Sequence, residues 1–237
     1  MGRPATLGQY AWPQVTSVDL TLLVPVGSFE QHGPHLPLDT DTRIASGIAH
    51  GARAGLADDA PFVVAPEIAY GASGEHEGFA GTISLGHDAL AAVILEYGRS
   101  ACRWAQRIVF VNGHGGNVAT VVTAVTRLRY ESREIAWYPC LFDGADAHAG
   151  NTETSIMMHL APEMVHTDRL EAGNREPVST LMAPMRSGGV AAVSPNGILG
   201  DPRLANAAEG ERLLGGAVAD LIRALAEWTV DDRGRLR

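Results

Sequence analysis

Apolar residues fall along this chain in two rhythms. Short unbroken runs at 20–26 (Leu-Thr-Leu-Leu-Val-Pro-Val), 62–65 (Phe-Val-Val-Ala), 107–111 (Arg-Ile-Val-Phe-Val) and from Glu134 to Phe142 predict buried strands. Between them lie longer stretches with helical spacing. Residues 41–56 carry an Ala/Ile face, and 88–106 place Leu90, Val93, Ile94 and Tyr97 on one side. Helices are also predicted over 117–131, 152–160 and 205–228, the last alanine-rich. The stretch 161–200, rich in Pro, Gly and Ser, shows neither rhythm. Buried strands alternating with helices predict an α/β fold, with a mostly parallel sheet covered on both faces. No repeat, low-complexity tract or dividing linker interrupts the pattern, so 1–237 reads as a single domain. Trp104 and Trp137 are expected in its core.

Ligands of parallel α/β sheets gather outside the carboxyl ends of the strands, so the residues that follow each strand matter most. The first strand runs into Gly27-Ser-Phe-Glu30-Gln-His32-Gly-Pro-His35-Leu-Pro-Leu-Asp39-Thr40-Asp41. Glu30 and His32, two apart, project to one side of an extended segment. Asp41 falls in the first turn of the next helix, with Thr40 as the expected cap. Two carboxylates and an imidazole on one loop suit a divalent metal such as Zn, Mn or Fe, although scattered Glu and His also make an ordinary polar loop. The 107–111 strand ends at Asn112-Gly-His114-Gly-Gly-Asn117, where the glycines permit close backbone approach. A third strand end leads to His148 and Glu153, the latter at a predicted helix start, where the helix dipole favours a carboxylate even without a metal. Histidines at three strand ends, two of them with carboxylates, point to one shared site. The glycine-rich loop 71–82 holds Ser73, Glu75, His76 and Glu77; it reads either as a pocket wall or as a surface turn. His50, His87, His159 and His166 read as structural.

Composition narrows the function. The 18 basic residues against 27 acidic ones leave a charge of −9, which disfavours binding to nucleic-acid phosphates. All 18 basic residues are arginine. The absence of lysine excludes a Schiff-base lysine, a Walker phosphate loop and a Ser-Lys pair. Residues 113–118 also fail to form a G-x-G-x-x-G fingerprint, which argues against a nucleotide-binding module. Cys102 and Cys140 form no C-x-x-C pair and are expected as reduced core residues. With no signal-peptide core at the start and no long apolar span, a soluble cytoplasmic protein is expected, without membrane or nucleic-acid partners.

Taken in order, Glu30-Gln-His32-Gly-Pro-His-Leu-Pro with Asp41, Asn112-Gly-His114-Gly-Gly-Asn117, and His148-Ala-Gly with Glu153-Thr resemble the creatininase (creatinine amidohydrolase) family. The resemblance covers residues 20 to 160. It implies a three-layer α/β/α fold, two divalent metal ions per subunit (Zn, Fe or Mn), a homo-oligomer, and hydrolysis of an amide C–N bond. By the same resemblance, Glu30, Asp41 and His114 hold one ion and His32 with Asp41 the other, with Asp41 bridging and His148 as the active-site histidine. The family's name-giving enzyme has a glutamate ligand two residues after the third-motif histidine, where this chain has Gly116. Glu153 is its natural replacement, as metal ligand and catalytic residue, and the change counts against creatinine as substrate. Ser73 and His76 are the candidate substrate-binding residues. Flanking residues 27–43 and 148–160 resemble a subgroup of peptidases that release a modified C-terminal dipeptide, derived from Val and Tyr, from a ribosomally made precursor peptide. An amidohydrolase acting on a cyclic amide or a formamide, or a non-catalytic metal-binding assembly protein, stands as the alternative.

Overall fold

Four segments rich in β-branched and aliphatic residues, Thr21–Val26 (β1), Phe62–Val64 (β2), Arg107–Asn112 (β3) and Ile135–Pro139 (β4), pair in the order β2-β1-β3-β4, every pairing parallel. The computed structural model describes residues 5–16 and 19–237. Alternate side chains of each strand leave the sheet on opposite faces, and both faces are covered. Leu22, Val24, Ile108 and Phe110 pack against Leu90 and Ile94 of Gly86–Ala101 (α3) and Val121, Val125 and Leu128 of Val118–Tyr130 (α4). Leu23, Val109 and Val111 pack on the other side. There they meet Ile44 and Ile48 of Thr40–Gly55 (α2), Ile156 of Asn151–Leu160 (α5), and Leu213 and Leu221 of Ala207–Glu227 (α7). Each fully buried Leu, Ile or Val contributes about 1.5–3 kcal/mol, so the two apolar layers hold the sheet between its helices. The result is the expected three-layer α/β/α fold.

Pro25 lies in β1, an interior strand, where a missing N–H would ordinarily break the ladder. Leu23 and Pro25 accept from Ala65 and Ile68 on the β2 side. By residue 25 β2 has already ended at Val64, so no ladder bond is lost.

The structure corrects several expectations. The third helix stops at Ala101 rather than 106. Its buried stripe is Leu90, Ile94, Gly98 and Ala101, which turns Val93 outward. Beyond its end Trp104 lies on the surface, 38% exposed, whereas Trp137 is buried with its indole N–H donating to the Arg233 carbonyl at 3.0 Å. The strand expected to reach Phe142 ends at Pro139. Thr40 is not a cap but the first helical residue; its hydroxyl donates to the Pro37 carbonyl at 2.7 Å. Cys102 and Cys140 are free thiols, only partly buried. The rhythmless stretch after residue 160 contains 3-10 turns and one helix, Val178–Gly188 (α6), with Pro184 inside it. A single turn, Trp12–Val15 (α1), precedes the sheet. No helix among the described residues is long and apolar enough to cross a membrane.

Candidate active site

The parallel sheet delivers β1, β3 and the segment after β4 to one rim, and the side chains there converge. Asn117 ties the loops together: its amide donates to Gly27 O at 2.9 Å and Asn112 Oδ1 at 3.1 Å, while its Oδ1 accepts from Ala72 N at 2.8 Å. Asn112 in turn donates to His114 O at 2.7 Å, fixing the histidine at the strand end. Asp146 caps α5 through the backbone N–H groups of Asn151 and Thr152. Ala149 takes φ 51°, a left-handed conformation uncommon for a residue with a Cβ. That turn points the Ala149 N–H at Glu153, whose Oε2 accepts it at 2.6 Å.

Glu30, His32, Asp41, His114 and His148 are all buried. One ligand atom from each of Glu30, Asp41 and His114 lies within 4.8 Å of the others; the same holds for His32, Asp41 and Glu153, and for Glu30, His32 and His148. Asp41 offers a different oxygen to each partner, Oδ1 at 3.2 Å from His32 Nε2 and Oδ2 at 3.2 Å from His114 Nδ1. Glu30 Oε2 accepts from Ser28 at 2.6 Å. Its Oε1 faces His76 Nε2 at 3.2 Å, His114 Nδ1 at 3.3 Å and His148 Nδ1 at 3.8 Å. Yet Glu30 Oε1, Asp41 Oδ2 and His114 Nε2 are buried without a hydrogen bond. Hydrogen bonds elsewhere set the ring tautomers. His32 Nδ1 donates to the Glu30 carbonyl at 3.1 Å and His148 Nε2 to the Gln31 carbonyl at 2.8 Å, so His32 Nε2 and His148 Nδ1 face the carboxylates.

The electrostatics follow from burial set against charge. Burial alone lowers His32, but Asp41, with Glu153 and Glu30, outweighs it and raises the imidazole to about 10. His114 is raised against burial by Glu30, Asp41 and Glu75. Asp41, whose burial works the other way, is held far below the usual carboxylate range by His32 and His114. Burial, with Asp41 and Asp146 adding to it, pushes Glu153 up to about 7 although His32 opposes. His148 is driven well below the ordinary imidazole value by burial and by the charges of His32 and His76.

A cavity of about 470 Å³ opens onto this cluster, walled by Glu75, His76 and His148 on one side and by Val178, Met182 and Met185 of α6 on the other. Of the candidate substrate-binding residues, His76 lines the cavity, while Ser73 is fully buried and lies outside its wall. Three features escape the sequence reading. His87, read as structural, reaches the cavity and hydrogen-bonds Thr120 Oγ1 at 2.8 Å. Gln31 Nε2 stands 2.9 Å from His76 Nδ1, 3.1 Å from His148 Nε2 and 3.0 Å from Gly197 O. Glu75 Oε1 lies 3.4 Å from His114 Nε2. Only Glu75, standing beside His76 in a glycine-rich loop, carried a signal in the sequence. The α6 wall has Val178, Met182 and Met185 at helical spacing, masked by the Pro, Gly and Ser around them.

The family model for creatininase, described as creatinine amidohydrolase, matches residues 8–225. A protein of Mycolicibacterium smegmatis named mycofactocin precursor peptide peptidase is 55% identical over 235 residues, covering 98% of this chain and 95% of that protein. Its Mycobacterium tuberculosis counterpart of the same name is 53% identical, covering 97% and 94%. A solved structure described as "Creatininase Mn" is similar with a TM-score of 0.80 at 25% identity, covering 95% of this chain and 99% of that one.

Proposed function

This chain belongs to the creatininase family, a family of amide hydrolases, and we propose that it is a metal-dependent peptidase that cuts a ribosomally made precursor peptide, freeing the modified C-terminal dipeptide derived from Val and Tyr. The observation that carries the reading is the pair of triads sharing Asp41, buried except for the partly exposed Glu153. Relatives above 50% identity named as precursor peptide peptidases support the substrate class.

The residues fit divalent ions. A buried carboxylate oxygen without a hydrogen bond is costly unless a cation faces it, and Glu30 Oε1 and Asp41 Oδ2 are two such atoms in one cluster. Their neighbours are imidazole nitrogens and carboxylates, the donor set of Zn, Mn or Fe. Glu30, Asp41 and His114 would hold one ion, and His32, Asp41 and Glu153 the other. When bound, such a pair supplies hydroxide near neutral pH and polarises the scissile carbonyl. The protein's own groups do the rest. His148 Nδ1, facing Glu30 in the cluster, would take the proton that the attacking water gives up and pass it to the leaving nitrogen as the C–N bond breaks. The Gln31 carbonyl holds the ring in that orientation. Glu153, kept in place by the Ala149 N–H, completes the ligand set where Gly116 supplies no side chain. His76 faces the substrate, and the Val178, Met182 and Met185 wall excludes water around an apolar Val-Tyr unit.

The test is mass spectrometry of a precursor peptide incubated with metal-loaded protein, with creatinine and a formamide run alongside. Loss of the terminal dipeptide mass, with creatinine and the formamide untouched, is the expected result. Glu30→Ala and His114→Ala are expected to lose both bound metal and cleavage. Full activity in metal-free protein would refute the reading.

A further inference from the structure

His114 presents Nδ1 to Glu30 and Asp41 and turns Nε2 away from them. Nε2 is buried and makes no hydrogen bond, and the carboxylate Oε1 of Glu75 stands 3.4 Å from it. Glu75 comes from a different part of the chain, the 3-10 turn Gly74–His76. Its carboxylate reaches His114 because residue 116 has no side chain. A Cβ there would lie 2.5 Å from Glu75 Oε1 and 2.4 Å from His114 Nε2, closer than packed atoms approach. The exchange of a ligand for glycine at 116 therefore does more than remove a donor: it opens the space that Glu75 fills. Glu75 belongs to none of the three ligand triads, so it stands behind the histidine.

We propose that Glu75 is a positioning residue for His114, accepting the Nε2 proton so that Nδ1 presents its lone pair to the ion held by Glu30, Asp41 and His114. Carboxylate–histidine–metal relays of this kind fix the ring tautomer and raise the ligand's basicity, and losing the carboxylate costs about 10–100-fold in metal affinity. The inference rests on the two-ion reading above and singles out one of its two sites.

Zn²⁺ titration of metal-free protein against a chromophoric chelator separates the outcomes. The wild type is expected to take up two equivalents. In Glu75→Ala one equivalent weakens about 10–100-fold while the other is kept, and the metal-free protein still unfolds in one cooperative transition. Glu75→Gln, whose amide oxygen still accepts from Nε2, recovers part of the loss. Wild-type affinity for both equivalents in Glu75→Ala would overturn the proposal and leave the two-ion reading standing. A wild-type protein that takes up no Zn²⁺ would instead sink the two-ion reading itself.

Discussion

At the scale of single residues, the loop after β1 is also anchored by a side chain outside the three triads. His35 is buried, its Nε2 2.8 Å from Thr154 Oγ1, so it links the Glu30–Asp41 loop to the helix that bears Glu153. Burial, with the nearby His32 charge, drives its imidazole down to about 4. The native state therefore holds this ring neutral, while an unfolded chain protonates it near 6.5. Stability from His35 is complete above pH 6.5 and is lost as pH falls toward 4, because the unfolded state takes the proton first. In denaturant unfolding, the stability advantage of the wild type over His35→Asn is expected to shrink by about 3 kcal/mol across that window; an advantage that does not change with pH would contradict it. The candidate site residues were legible because most follow a strand: Glu30 and His32 after β1, His114 after β3, His148 and Glu153 beyond β4. Gln31 was not, since its partners lie across the rim, and Glu75 stood out only as an acid beside His76, because local spacing carries no trace of its contact with His114.

Elements show the same division between what local pattern encodes and what packing decides. The helices that cover the sheet have dense apolar stripes, and their positions could be read from periodicity. In α6 Val178, Leu181, Met182 and Met185 do recur at helical spacing, but only Leu181 is buried, and Pro184 together with the surrounding Pro, Gly and Ser masks the stripe. The pairing of α5 with α7 is equally silent in the sequence, and it depends on one close approach. A Cβ on Gly210 would stand 1.9 Å from the Ser155 carbonyl oxygen, a backbone atom two residues beyond Glu153. Gly210→Ala is expected to force the helices apart, lowering the thermal midpoint and the metal content together. Gly216, six residues on in α7, is exposed with open space around it. Gly216→Ala is therefore expected to stabilise by about 0.5–1 kcal/mol through helix propensity alone, a rise of roughly 1–4 °C. Calorimetry of the two variants side by side checks both signs.

For the whole molecule, an ion that binds only the native arrangement adds its binding free energy to the fold. Free metal at about 100 times its dissociation constant adds about 2.7 kcal/mol per site, so excess chelator, stripping both sites, is expected to lower the midpoint by roughly 10–20 °C. An unchanged midpoint would mean that the triads hold nothing. The triads themselves gather positions 30 to 153 from three strand ends of a wholly parallel sheet, and parallel pairings close late because they join distant stretches of chain. The two Asp41-sharing triads are both complete only once residue 153 is in place, and even the first needs residues as far apart as Glu30 and His114. Metal capture would then be a stopwatch for folding: during renaturation a metal-sensitive dye should report uptake only in step with the final cooperative phase, and a nascent chain still short of residue 114 lacks a ligand of every triad.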